Sequence, residues 1–207
     1  MTQIALPLSH RNAADPDRIV VGNANRGVID ALADPSRWPF HTAILAGPPR
    51  SGKSLLGRWF AAQGRGEVLD GADQMDETDL FHRWNRAQEN GQALLLITDG
   101  GAEGAGWTIA LPDLRSRLGA ALHLEIGAPD DAMVADLIEA MAAQRALALG
   151  EGALTYLLPR ATRSFAAIER LVVTIDRLSL ERKAPATLSI WRDALDAVHG
   201  AQQPRLL

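Results

Sequence analysis

The stretch Gly47-Pro48-Pro49-Arg50-Ser51-Gly52-Lys53-Ser54 constrains this chain more than any other. It satisfies every fixed position of the phosphate-binding pattern G-x-x-x-x-G-K-[ST]. Its flanks agree with it. His41 to Ala46 is a short apolar run that predicts a buried strand, and Leu55 to Ala62 has the spacing of an amphipathic helix. Strand, glycine loop and helix in that order predict an α/β fold, in which the strand delivers the loop and the helix turns its positive end to the same anion.

The residue types follow from the chemistry. Gly47 and Gly52 reach backbone angles that other residues avoid, so successive N–H groups can converge on phosphate oxygens. Lys53 adds a point charge for the β- and γ-phosphates, and Ser54 offers a hydroxyl to Mg²⁺. Pro48 and Pro49 remove two N–H donors early in the loop, which leaves the donors nearer Lys53. The expected phosphate-side contacts therefore run through Gly47, Pro48, Pro49, Arg50, Ser51, Gly52, Lys53, Ser54 and Leu55.

A chain of 207 residues is long enough for one domain with a small appendage. A net charge of −4 and the lack of a basic stripe argue against direct, non-specific DNA binding. With no cysteine, disulfides and cysteine–zinc sites are excluded, which is compatible with a cytoplasmic chain. No apolar run approaches the ~20 residues that span a bilayer, and no signal peptide is visible.

Along the chain, Met1 to Asp17 reads as an extended arm in which Ile4, Leu6 and Leu8 alternate and Pro7 blocks helix. On pattern alone it suits an edge strand or strap over the core, or a peptide ligand for a partner's groove. Arg18 to Asn25 precedes a helix over Arg26 to Ala33. Glu67 to Asp70 predicts a strand ending in a carboxylate, on the side where a parallel sheet presents ligands. Glu77 to Asn90 predicts a helix closed by Gly91. Ala93 to Asp99 predicts a strand covered on both faces. Gly100 to Gly106 predicts a loop, Pro112 to Leu118 a short helix with two arginines, and Leu122 to Ile126 the last strand. From Pro129 onward the pattern is helical: Asp130 to Leu147, Glu151 to Leu158, Ser164 to Leu180 and Thr187 to His199.

These segments together resemble the DnaA family of AAA+ ATPases, from about Arg18 to the C-terminus. Within that family the chain is most similar to the Hda-type regulators, which lack the DNA-binding domain. Arg18-Ile19-Val20-Val21-Gly22 resembles the adenine-contacting stretch, which assigns Val20 and Val21 to the nucleotide. Val68-Leu69-Asp70 resembles Walker B, so Asp70 joins Ser54 at Mg²⁺. Leu95-Leu96-Ile97-Thr98-Asp99 looks like the sensor 1 strand, with Asp99 at the polar position. Leu111 to Leu118 resembles the segment carrying the arginine finger, at Arg117. Gln3-Ile4-Ala5-Leu6-Pro7-Leu8 resembles the peptide by which Hda-type proteins bind the replication sliding clamp, with Gln3, Leu6 and Leu8 as anchors. This shifts the reading of the arm to a peptide ligand.

The resemblance implies an AAA+ P-loop core with a shortened parallel sheet of about four strands over 18–127, then a small all-α lid over 128–207. It implies ADP or ATP with Mg²⁺ as cofactors. The implied partners are DnaA and the β sliding clamp of DNA polymerase III, and it also allows a homo-oligomer. The implied function is regulatory inactivation of DnaA, with an autonomous AAA+ loader or motor as the alternative.

Three departures bear on activity. Lys53 and Asp70 are only 17 positions apart, too few for the usual intervening strand and helix, which implies that one strand–helix unit is missing. A competing alignment makes Asp99 the Walker B carboxylate, but Arg117 then loses its family spacing. Gly71 replaces a second acid after Asp70, and Ala166 falls where the lid's sensor 2 arginine is expected, with Arg163 nearby. Each loss weakens transition-state charge stabilisation, so intrinsic hydrolysis is expected to be slow or absent.

Overall fold

The computed structural model describes residues 19–99 and 107–200. The expectations for the N-terminal arm, including Gln3, Leu6 and Leu8, and for the loop Gly100 to Gly106 lie outside the described residues.

Among the described residues the elements run α1 (Arg26–Ala33), β1 (Thr42–Ala46), α2 (Lys53–Ala62), β2 (Gly66–Asp70), α3 (Glu77–Glu89) and β3 (Ala93–Ile97). They continue with α4 (Pro112–Gly119), β4 (Leu122–Glu125), α5 (Asp131–Gln144), α6 (Ala153–Leu157), α7 (Phe165–Arg182) and α8 (Leu188–Gly200). The four strands form one parallel sheet in the order β2-β3-β1-β4. Only Gln63, Gly64 and Arg65 lie between α2 and β2, so the strand–helix unit expected to be missing is absent there.

Helix ends follow local chemistry. The Asp76 carboxylate accepts from the backbone N–H groups of Thr78 and Asp79 and caps α3, and Gly91 closes it with φ 60°. Asp130 and Ser164 cap α5 and α7 in the same way. Helix α2 starts at Lys53, two residues earlier than the apolar pattern indicates, because Gly52 turns the chain with φ 90°. The polar start of that helix carries no hydrophobic signal.

The strands sort their side chains by parity. Ala43 and Leu45 of β1 and Leu95 and Ile97 of β3 face α1, α2 and the C-terminal helices. Ile44, Leu94 and Leu96 face the other way, against Leu80 and Trp84 of α3 and Leu114 and Leu118 of α4. Both faces are therefore covered, which explains why β1 and β3 are apolar at nearly every position. The first core is continuous with the C-terminal helices, through Met133, Val134 and Ile138 of α5 and Phe165, Ile168 and Val172 of α7. Among the described residues no helix is long and apolar enough to cross a membrane.

Candidate phosphate-binding site

Strand β1 ends at Ala46 in the middle of the sheet, and the loop Gly47 to Gly52 carries the chain into α2. Gly47 is required by space: a Cβ there would stand 2.9 Å from the Cβ of Ile126. Gly52 is required by conformation, at φ 90°. Arg50 takes φ 64°, a left-handed value that an arginine holds only when its surroundings impose it. No side chain caps the N-terminus of α2, so its first N–H groups point into the loop without a side-chain partner. Lys53 is 7% exposed. Its ammonium donates to the carbonyls of Gly47 at 2.8 Å and Pro48 at 3.3 Å, and stands 3.1 Å from a carboxylate oxygen of Asp99. The buried hydroxyl of Ser51 has no hydrogen-bond partner. A concave loop with an orphan hydroxyl, a buried ammonium and an uncapped helix start fits a polyphosphate.

The residues around the loop divide the space. On one side lies a cavity of about 200 Å³ walled by Val20, Asn25, Leu55, Met133, Leu137 and Phe165 among others. Asn25 shapes its rim: its side chain accepts from the N–H of Gly22 at 2.9 Å and donates to the carbonyl of Val20 at 2.8 Å. Val20 is on this wall, whereas Val21 is 43% exposed and does not line it. On the other side is an open pocket of about 300 Å³ lined by Lys53, Ser54, Arg58, Asp99 and Glu169 among others. Asp99 follows β3, the neighbour of β1, whereas Asp70 ends β2 at the sheet edge, one strand further out, and is exposed. Asp70 makes no ion pair with Lys53 among the described residues, so Asp99 is the carboxylate that the structure brings onto the loop.

Helix α7 passes over the loop and presents Glu169, whose carboxylate stands 3.1 Å from the guanidinium of Arg50. Arg163 is engaged elsewhere, on Asp131 at the start of α5, with Nε at 2.7 Å and Nη2 at 2.6 Å. Helix α7 thus places the Glu169 carboxylate against Arg50 of the loop, with Arg170 beside it on the wall of a neighbouring pocket that Arg50 also lines.

Arg117 lies in the last turn of α4, half-buried against α3. Its guanidinium carbon is 4.3 Å from the ring centroid of Trp84 and 4.9 Å from that of Phe81. Its Nη1 donates to the Asn85 side-chain oxygen at 2.9 Å.

No protein-family model matches the chain, and neither does any curated protein. Solved structures do. Domain III of the replication initiation protein DnaA from Thermotoga maritima superposes with a TM-score of 0.72 at 13% identity, covering 88% of this chain and 95% of that one. AMPPCP-bound DnaA from Aquifex aeolicus matches with a TM-score of 0.59 at 18% identity, over 81% of this chain and 66% of that one. The RuvB Holliday junction branch migration motor of Thermotoga maritima matches with a TM-score of 0.58 at 16% identity, over 86% of this chain and 70% of that one.

The chain has a DnaA-like AAA+ P-loop fold.

Within that fold, two contacts were not legible in the sequence. The ion pair of Arg50 and Glu169 joins residues on different elements and follows from no local pattern. Nothing in the sequence pairs Lys53 with Asp99 either, although the position of Asp99 just past an all-apolar strand points to the same end of the sheet.

Proposed function

We propose that this chain is an Hda-type regulator of replication initiation, which binds a nucleotide and supplies an arginine to ATP-bound DnaA. The observation that carries the reading is Arg117: on a DnaA-like AAA+ fold, it sits in the segment resembling the arginine-finger box and makes no ion pair among the described residues. In this reading water attacks the γ-phosphorus of ATP held by DnaA, the bond to the β–γ bridging oxygen breaks, and ADP and phosphate leave. Arg117 neutralises charge on the oxygens of the transferring group, an effect worth about 10³–10⁵ in rate where arginine is supplied in trans.

The chain's own nucleotide, ADP or ATP, would be held by Lys53, the loop N–H groups and Leu55, with Val20 at the base and Ser54 toward Mg²⁺; Asp70 would join Ser54 at Mg²⁺ on the strength of the resemblance to Walker B alone. When bound, the nucleotide supplies the negative charge that the loop is built to hold, and serves as a structural ligand. Weak intrinsic turnover is part of the proposal, because Arg163 is committed to Asp131 and the lid faces the loop with Glu169. The division into an arm over 1–17, a nucleotide-binding part over 18–127 and a lid over 128–207 belongs to the same proposal. The arm would dock on the DNA-loaded sliding clamp through Gln3, Leu6 and Leu8, with the two leucines in an apolar pocket.

The test is hydrolysis of ATP preloaded on DnaA, in the presence of clamp-loaded DNA, by the wild type and by Arg117→Ala. Equal stimulation by the two proteins sinks the reading. A parallel pull-down of the clamp with Gln3, Leu6 and Leu8 changed to alanine tests the arm; undiminished binding removes that part alone.

A further inference from the structure

We propose that Phe81, Trp84 and Asn85 of α3 are positioning residues that hold the Arg117 guanidinium in a fixed orientation with its charge intact, ready for the polyphosphate of a nucleotide bound to a partner. The inference rests on the reading of Arg117 given above and adds the residues that set it.

The three lie at i, i+3 and i+4 and so share one face of α3. Trp84 is the floor, buried at 7% exposure in the core between the sheet and α3. Phe81 is a half-buried wall beside it. The two rings hold the guanidinium at 4.3 and 4.9 Å, and Asn85 takes one N–H at 2.9 Å. A guanidinium carries five N–H donors, so four remain for an incoming anion.

The chemistry of this seat differs from that of most other arginine contacts in the molecule. Arg50, Arg83, Arg163, Arg177 and Arg182 each meet a carboxylate, on Glu169, Glu67, Asp131, Glu181 and Asp193. A carboxylate neutralises the cation and competes for the in-plane N–H groups that a phosphate needs. Aromatic faces do neither, and the amide oxygen takes one in-plane N–H without neutralising the charge. They attract the guanidinium through the ring quadrupole and one hydrogen bond, and they leave it fully charged.

The backbone under Arg117 is equally fixed. Leu114 and Leu118 on the same helix are 0% and 1% exposed. The Glu77 carboxylate, in the first turn of α3, accepts from the backbone N–H groups of Ala110 and Leu111 at 2.7 Å each and pins the entry to α4. Helix α3 thus holds α4 at its start through Glu77 and at its end through the seat. A preorganised cation loses less freedom when it engages its anion.

The test uses the full-length chain, DnaA preloaded with γ-labelled ATP, and clamp-loaded DNA. The variants are Asn85→Leu, which keeps the branched heavy-atom shape, and Phe81→Leu, which keeps the site apolar; both leave Trp84 in the core. Each should lower the maximal stimulated rate about tenfold. The chain concentration giving half the effect should stay the same, because the seat sets orientation and not docking. In an Arg117→Ala background Asn85→Leu should cost nothing more, a result that a merely structural role would not give. If both seat variants keep the wild-type maximal rate while Arg117→Ala loses it, the seat is wrong and the function stands. If Arg117→Ala keeps the rate, or the wild type fails to stimulate at all, the functional reading falls first. The seat is then decided by NMR of the Arg117 Nε–H in the chain alone. Ring currents should displace that signal from the free-arginine position, and Phe81→Leu should return it part of the way, with Trp84 keeping the rest. A wild-type signal at the free position overturns the proposal.

Discussion

Arg50 and Arg117 are held in opposite ways. Arg50 sits in the phosphate loop, in a left-handed conformation, paired with the lid carboxylate of Glu169 at 3.1 Å. Arg117 rests on the rings of Trp84 and Phe81 with an amide as its hydrogen-bond partner. The first arrangement uses the cation inside the chain: charge that could serve a phosphate is already balanced by the lid. The second keeps the cation oriented and unbalanced. Under the proposed function, the chain's own phosphate loop is tempered while Arg117 is kept ready for a partner.

The contrast can be broken most sharply at Arg117. Changing it to alanine should reduce stimulated hydrolysis on DnaA by about 10³-fold or more, measured as release of labelled phosphate. It should leave this chain's own nucleotide affinity unchanged, since Arg117 lies outside both cavities at the loop. An equal loss of nucleotide affinity would mean that the two sites are not separate.

Next in size is Lys53→Ala, which removes the buried ammonium of the loop. Charge-assisted hydrogen bonds are worth about 1.5–3 kcal/mol each, so affinity for ADP or ATP should fall roughly 10–100-fold by titration calorimetry. Unchanged affinity would move the nucleotide away from this loop.

Glu169→Gln tests the balance at Arg50 directly. Arg50 is 68% exposed, so the pair belongs among solvent-screened ion pairs worth about 0–1 kcal/mol. Releasing Arg50 should tighten nucleotide binding by at most about fivefold, more for ATP than for ADP because ATP carries the extra charge. Weaker binding in this variant would show that Glu169 supports the site and does not temper it.

The smallest effect is expected from Arg163→Ala. Its guanidinium is on Asp131, so nucleotide affinity should change less than about twofold. A tenfold loss would make Arg163 a phosphate ligand in spite of its contact with Asp131.

The strand–loop–helix around Gly47 to Ser54, the apolar strands β1 and β3, and the helical C-terminal third were legible in the sequence. Their signals are local: a fixed motif, unbroken apolar runs, and capping residues such as Asp76 and Ser164 next to periodic helices. The missing strand–helix unit was legible as well, because 17 positions between Lys53 and Asp70 cannot hold it. The four-stranded sheet follows from that count.

The tertiary structure decided which charges meet. Asp99 reaches Lys53 because β3 lies beside β1, whereas Asp70 ends the strand one place further out. Arg163, close to the lid position where an arginine was expected, goes to α5, and Glu169 of the same lid takes Arg50. Phe81, Trp84 and Asn85 share one face of α3 by spacing alone, and α4 lays Arg117 across them. The physical reason is the same in each case. Backbone conformation and burial depend on neighbours a few positions away and are written in local patterns. The partner of a long charged side chain is set by how separate elements pack, and no local pattern encodes it.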